Sequence, residues 1–117
     1  MRIVRVKLSP EAEEVYNHLN REAPGSKTER MILKAVNQKV ELMKSNPQYG
    51  DPIAKSLIPA EYRQKYGITN LFRVELPAFW RMLYTLTDGE SEIEIIAFVL
   101  DIIGHKQYDK KFGYRGK

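Results

Sequence analysis

The sequence predicts an α+β domain whose elements follow the order β-α-α-β-β-β. Apolar residues recur at every second position near the start of the 117-residue chain and again from residue 70 onward, which is the spacing of strands. Between these regions, two stretches carry apolar residues at helical spacing, and each follows a capping residue. Such elements form a mostly antiparallel sheet with a helical hairpin packed on one face.

Composition favours a single domain, residues 1–117, that folds in the cytoplasm. The hydrophobic fraction of 43% suffices for one core. No run approaches the roughly 20 apolar residues that a membrane-spanning helix needs, and the charged N-terminal residues lack a signal-peptide core. Cysteine is absent, which excludes a disulfide framework and a thiolate metal site.

The first half of the chain predicts one strand and two helices. Residues 2–8 alternate between apolar and charged side chains, so a half-buried strand is expected there. Ser9 is an N-cap followed by proline, which predicts a helix over residues 10–22. A Ser-x-x-Glu capping box opens a second helix over residues 26–45. Residues 46–69 are irregular, with a short helix predicted over Pro59 to Tyr66.

Three strands are expected after residue 70, over Leu71–Leu76, Phe79–Thr87 and Glu92–Asp101. The connection between the first two of these strands contains Pro77. A two-residue loop there pairs Leu76 with Phe79, whereas a three-residue loop pairs Leu76 with Trp80. The second register gathers the large apolar side chains on one face, and we predict it because register follows burial. It also groups three charged residues on the opposite, partly open face: Arg73, Glu75 and Arg81.

This charged face carries the groups needed to cut RNA without a metal ion. One group takes the proton from a 2′-hydroxyl that attacks the adjacent phosphorus, and another protonates the leaving 5′-oxygen. Arginines hold the phosphate and stabilise its developing charge, while an aromatic ring stacks on a splayed base. The predicted catalytic set is therefore Arg81, His105, Glu75, Arg73 and Tyr108.

Each of these residues also has a structural explanation. Arg73 and Glu75 suit the wet face of a sheet, and His105 suits a strand end. Arg81 lies within an apolar run, so its cation requires either a working surface or a carboxylate partner. His18 is expected to be exposed on the first helix. Trp80 and Tyr84 are expected in the core.

The C-terminal 13 residues carry five lysines and arginines against one aspartate, so the rest of the chain is close to neutral. Such a segment attracts phosphate backbones through counterion release, although a solvated tail that aids solubility explains it equally well. The predicted RNA-binding residues are Lys106, Lys110, Lys111 and Arg115.

Other chemistries lack their motifs. Two histidines 87 positions apart, without cysteine, predict no metal site. The sequence contains no phosphate-binding loop, dinucleotide fingerprint or nucleophile elbow. No cofactor is expected.

The C-terminal half resembles the RelE/ParE toxin superfamily. The resemblance consists of the strand Leu71–Leu76, the aromatic-Arg-apolar-apolar-Tyr segment Trp80–Tyr84, and an apolar strand that leads to Gly104-His105-Lys106. It implies a ribosome-dependent endoribonuclease that cleaves mRNA and is neutralised, as a hetero-oligomer, by a cognate antitoxin.

The resemblance also implies roles for individual residues. Arg81 matches the strand arginine that contacts the scissile phosphate, and His105 matches the general acid of several members. Arg73 is close to a basic position, and Tyr108 is close to a catalytic or stacking aromatic. Glu75 replaces an expected cation, as in the branch whose base is a carboxylate.

Two alternatives keep the same fold. ParE-type relatives bind DNA gyrase and do not cut RNA, and His105 argues against that branch. A third possibility is a member of the fold that binds nucleic acid or a protein partner without catalysis.

Overall fold

The computed structural model describes residues 3–113 and has the predicted elements. It adds a two-residue strand, a C-terminal helix and three short 3₁₀ turns. The strands are β1 (Ile3–Leu8), β2 (Asp51–Pro52), β3 (Phe72–Glu75), β4 (Arg81–Asp88) and β5 (Glu94–Ile103). The helices are α1 (Pro10–Glu22), α2 (Lys27–Ser45), α3 (Ala60–Tyr66) and α4 (His105–Lys111).

The strands form one sheet in the order β1-β5-β4-β3-β2. β1 pairs with β5 in parallel, and every other pair is antiparallel. The backbone N–H of Leu76 donates to the carbonyl of Trp80 over 2.9 Å, and Val74 lies opposite Met82. The predicted three-residue register is therefore confirmed.

The helical hairpin of α1 and α2 covers one face of the sheet, as predicted. Both helices direct an apolar stripe at alternate residues of the strands, so the two periodicities meet in one core. Its most deeply buried members are Ala12, Leu19, Ile32, Val36, Met43, Met82, Tyr84, Ala97, Val99 and Ile102.

The opposite face is more covered than predicted. Helices α3 and α4 and the residues around Ile58 pack over it and bury Leu83, Leu100 and Ile103. The prediction of an open face is wrong there because the residues after Gly104 are a helix and not a free tail. Tyr108 of α4 and Phe112, which directly follows this helix, lie four positions apart, and both pack in this second cluster.

Serine caps begin both long helices. The Ser9 hydroxyl accepts a hydrogen bond from the Ala12 N–H at 3.0 Å and donates to the Leu100 carbonyl at 2.7 Å, so it ties α1 to β5. The Ser26 hydroxyl accepts from the Glu29 N–H at 3.4 Å and donates to the Glu29 carboxylate. The Ser26 N–H bonds the Ala23 carbonyl, so only the Ser26 half of the predicted capping box forms. Within residues 3–113, no helix is both long and apolar enough to cross a membrane.

Replacing Ser9 by alanine should lower the free energy of unfolding by about 1–3 kcal/mol, because it removes a helix cap and leaves the Leu100 carbonyl without this buried donor. Urea denaturation measures the change. Ser26→Ala is the matched control, with an expected loss of about 0.5–1 kcal/mol because its cap bond is longer and less buried. Equal losses in the two variants would contradict the tie between α1 and β5.

Candidate functional site

Three of the predicted site residues form one ion-pair cluster on neighbouring strands. Glu75 of β3 lies opposite Arg81 of β4, and Arg73 is two positions earlier on the same face. One oxygen of Glu75, Oε2, is 3.1 Å from Arg73 Nε, and the other, Oε1, is 3.5 Å from Arg81 Nε. The carboxylate therefore lies between two guanidinium groups, as the predicted register requires.

Tyr108 of α4 joins the same cluster. Its hydroxyl accepts a hydrogen bond from Arg73 Nη1 at 3.1 Å, and its ring centre lies 4.7 Å from Arg81 Cζ, which is cation–π distance. The hydrogen bond to Tyr108 is the main cause that raises the pKa of Arg73. Tyr108 is only 2% exposed, so its ring is a buried partner of the arginines and does not face outward for a base.

The cluster has more positive charge and more donors than its own acceptors satisfy. The side chain of Arg81 is 14% exposed and that of Arg73 is 32% exposed. Within the described part of the chain, both Nε–H groups are buried without a well-aligned hydrogen-bond acceptor, although Glu75 is within ion-pair distance. Asp51, 3.7 Å from Arg73 Nη2, is largely exposed and contributes little. Two cations that share one half-exposed carboxylate suit a further anion.

His105 lies beside this cluster, at the first position of α4. Its side chain is 54% exposed, and Nε2 is 3.1 Å from Asp109 Oδ2 one turn later. The His105 ring centre is 5.9 Å from that of Phe79, whose carbonyl accepts a hydrogen bond from Arg81 Nη1. Phe79 thus contacts both His105 and Arg81, and the two predicted site residues share one region of the molecule.

The predicted RNA-binding lysines have different surroundings. Lys106 and Lys110 are exposed on α4. Lys111 Nζ is 2.7 Å from Glu61 Oε2 and 3.7 Å from Asp101 Oδ2, so it fastens α4 to α3 and β5. Arg115 lies outside the described residues.

Residues assigned to structural positions are found where the sequence predicts them. His18 is exposed on α1. Tyr84 is fully buried and Trp80 packs against the core beneath the hairpin.

A second polar group under α3 was not foreseen. The Tyr62 hydroxyl donates to Asp101 Oδ2 at 2.5 Å. Burial raises the pKa of Asp101 above its ordinary value, although Tyr62 and Lys111 act in the opposite direction. Burial likewise raises the pKa of Tyr62. Among residues 3–113, no three His, Asp or Glu side chains are grouped closely enough to hold a metal ion.

The arrangement of elements matches that of a known toxin. A YoeB/ParE toxin from Agrobacterium tumefaciens superposes on this chain with a TM-score of 0.56, covering 90% of this chain and 99% of that one. The chain has the YoeB/ParE fold. The sequence identity is 17%, so the match concerns the fold, and it confirms the fold that the RelE/ParE resemblance implies. Neither protein-family profiles nor curated proteins match the sequence.

Within this YoeB/ParE fold, the substitution Tyr108→Phe isolates the hydrogen bond between α4 and the arginine cluster. We expect a loss of about 1 kcal/mol in the free energy of unfolding, because a buried hydroxyl that accepts from a partly exposed cation is removed while the ring stays on Arg81. Urea denaturation measures it. Tyr16→Phe, which removes an exposed bond to Asn37, is the control and should cost less than about 0.5 kcal/mol. A larger loss in the control would refute the anchoring role.

The raised pKa of Asp101 predicts a pH dependence. The Asp101 carboxyl binds a proton more readily in the folded protein than in the unfolded chain. The resulting stabilisation is therefore fully present below the ordinary value of 3.8 and is lost as pH rises through the folded pKa. Asparagine does not titrate, so Asp101→Asn should become more stable relative to wild type as pH increases from 4 to 7. Urea denaturation across this pH range tests the prediction. A difference in the free energy of unfolding between the two proteins that does not change with pH would contradict it.

Proposed function

We propose that the protein is a RelE-like toxin that cuts messenger RNA on the ribosome without a metal ion and is held inactive by a cognate antitoxin. The observation that supports this proposal best is the pair Arg73 and Arg81, which share Glu75 and lie next to a half-exposed histidine. The YoeB/ParE fold of the chain supports the same class.

The arginine pair is the proposed phosphate site. A phosphodiester accepts hydrogen bonds from guanidinium groups in the way that a carboxylate does, so it can replace Glu75 as the anion between them. Both Nε–H groups lack a well-aligned acceptor in the described structure, and a phosphate oxygen would supply one. The same contacts stabilise the negative charge that develops at phosphorus during attack.

Glu75 and His105 are the proposed base and acid. Glu75, freed from the arginines by the phosphate, takes the proton of the 2′-hydroxyl as that oxygen attacks phosphorus. The bond from phosphorus to the 5′-oxygen breaks, and His105 protonates this leaving oxygen. The products are a 2′,3′-cyclic phosphate and a 5′-hydroxyl. Both side chains are about half exposed, so both can reach a bound strand.

The outer surface of α4 extends the proposed interface. Lys106 and Lys110 follow His105 on this helix and are exposed, so they can contact the phosphates of mRNA or of ribosomal RNA. An antitoxin that carries carboxylates over the arginine cluster would compete directly with RNA for the same cations.

Transcript mapping after induced expression tests the proposal. We expect cuts within translated codons, and His105→Ala should lower the cleavage rate about 10²–10⁴-fold because it removes the general acid. Arg81→Lys should also impair cleavage, because lysine retains the charge but lacks the bidentate fork. His18→Ala removes the other histidine, on the far helical layer, and should cleave like wild type. Circular dichroism verifies folding of each variant.

The same experiment separates the proposal from its alternative. Growth arrest that persists in His105→Ala, with no transcript cut by the wild-type protein, would contradict RNA cleavage. That result would favour a ParE-like toxin that acts on DNA gyrase, and inhibition of supercoiling by the purified protein would then identify the target.

A further inference from the structure

Phe79 is an exposed aromatic residue at the turn between β3 and β4. Its exposed fraction of 71% is the highest among the large apolar side chains of residues 3–113. A single exposed apolar residue is ordinary on a protein surface. Two further features, its backbone conformation and its neighbours, make this one unusual.

The turn holds two consecutive residues in the left-handed region. Ala78 has a φ of 58° and Phe79 a φ of 61°, and the Trp80 N–H closes the turn on the Pro77 carbonyl at 3.2 Å. Tight hairpin turns with two positive φ angles are normally built from asparagine and glycine. Alanine and phenylalanine adopt this conformation only at a cost in backbone energy, because their Cβ atoms crowd the neighbouring carbonyl.

The candidate site holds this turn in place. Arg81 Nη1 donates to the carbonyl of Phe79, so the guanidinium proposed to bind phosphate also fixes the strained residue. The Phe79 ring lies against that of His105, with 5.9 Å between centres and a tilt of 55°. Phe79 is therefore in contact with two residues of the proposed site, Arg81 and His105.

Folding alone does not account for Phe79. Its ring is mostly in water, so burial offsets little of the strain, and asparagine or glycine would satisfy the turn at lower cost. Residues held in rare backbone conformations are concentrated at functional sites, where the surrounding structure enforces them. The combination of strain, exposure and contact with the site indicates a ligand for the ring.

We propose that Phe79 is the stacking platform for an unpaired base of single-stranded RNA, next to the phosphate held by Arg81. The proposal rests on the proposed function for its substrate class and adds a residue to that site. Flat bases stack on exposed aromatic rings while cations contact the adjacent phosphates. Arg81 and His105 supply such cationic or polar groups beside Phe79, and exposed Lys106 follows His105 on α4. Phe79 takes the stacking role that the sequence suggests for Tyr108.

Binding of a short single-stranded RNA with 2′-O-methyl groups tests the proposal directly, because methylation blocks attack by the 2′-oxygen. Fluorescence anisotropy measures its dissociation constant. Phe79→Ala should weaken binding roughly 5- to 150-fold, the usual loss for one stacked base. Phe79→Tyr and Phe79→Trp should bind like wild type, because each keeps an aromatic face. Phe79→Leu keeps apolar area without that face and should resemble Phe79→Ala.

The matched control for the backbone is Ala78→Gly. Glycine adopts a positive φ without strain, so this variant should melt a few degrees higher, about 2–6 °C, and bind the RNA like wild type. A lower melting temperature would overturn the assignment of strain to the turn.

The outcomes separate this inference from the proposed cleavage. Wild-type protein that does not bind the RNA, or folded Phe79→Ala that binds it equally well, overturns the stacking role. A Phe79→Ala variant that cuts transcripts as efficiently as wild type also overturns the stacking role, and it leaves the cleavage proposal intact. If the wild-type protein cuts no transcript but its RNA binding requires Phe79, the cleavage proposal is refuted and the stacking role stands. If Phe79→Ala affects only capture of the adjacently encoded antitoxin, the ring is a protein contact and the inference is wrong.

Discussion

The site depends on one electrostatic constraint, the placement of two arginines on adjacent strands of a covered sheet face. Like charges this close repel each other and lose hydration when they are buried. Glu75 supplies a negative charge between Arg73 and Arg81, and Tyr108 accepts a hydrogen bond from one and covers the other with its ring. Because Tyr108 belongs to α4, the same contacts dock this helix. His105 is the first residue of α4 and takes its position from that docking.

Much of the fold could be predicted because its signals are local. Ser9 and Ser26 mark the helix starts, and the apolar pattern around Pro77 selects one register out of two. The parallel pairing of β1 with β5 has no such signal, since alternation reveals a strand but not its partner. Helix α4 has only seven residues, too few for a clear period, and its lysines resemble those of a solvated tail. The four-residue spacing of Tyr108 and Phe112, the residue that follows the helix, was the available sign of α4.

The candidate site was predictable to the same extent as the register. Grouping Arg73, Glu75 and Arg81 requires only that alternate residues share a face. The burial of Tyr108 and the ion pairs of Lys111 depend on how α3 and α4 pack, which no local pattern specifies. The conformation of Phe79 is harder still, because the residue types Ala and Phe argue against a positive φ. In the structure, the Arg81 side chain bonds the Phe79 carbonyl and the His105 ring lies against the Phe79 ring.

The parallel pairing of the first strand with the last has a consequence for synthesis of the chain. Ile3 lies opposite Glu94, so β1 has no strand partner until the chain has been made as far as β5. Contacts between distant parts of a chain form slowly, because a long loop must close first. A nascent chain that still lacks β5 and α4 has neither a complete sheet nor Tyr108 in place beside the arginines. Completion of the sheet and docking of α4 therefore come late in folding, after residues 94–111 have been synthesised.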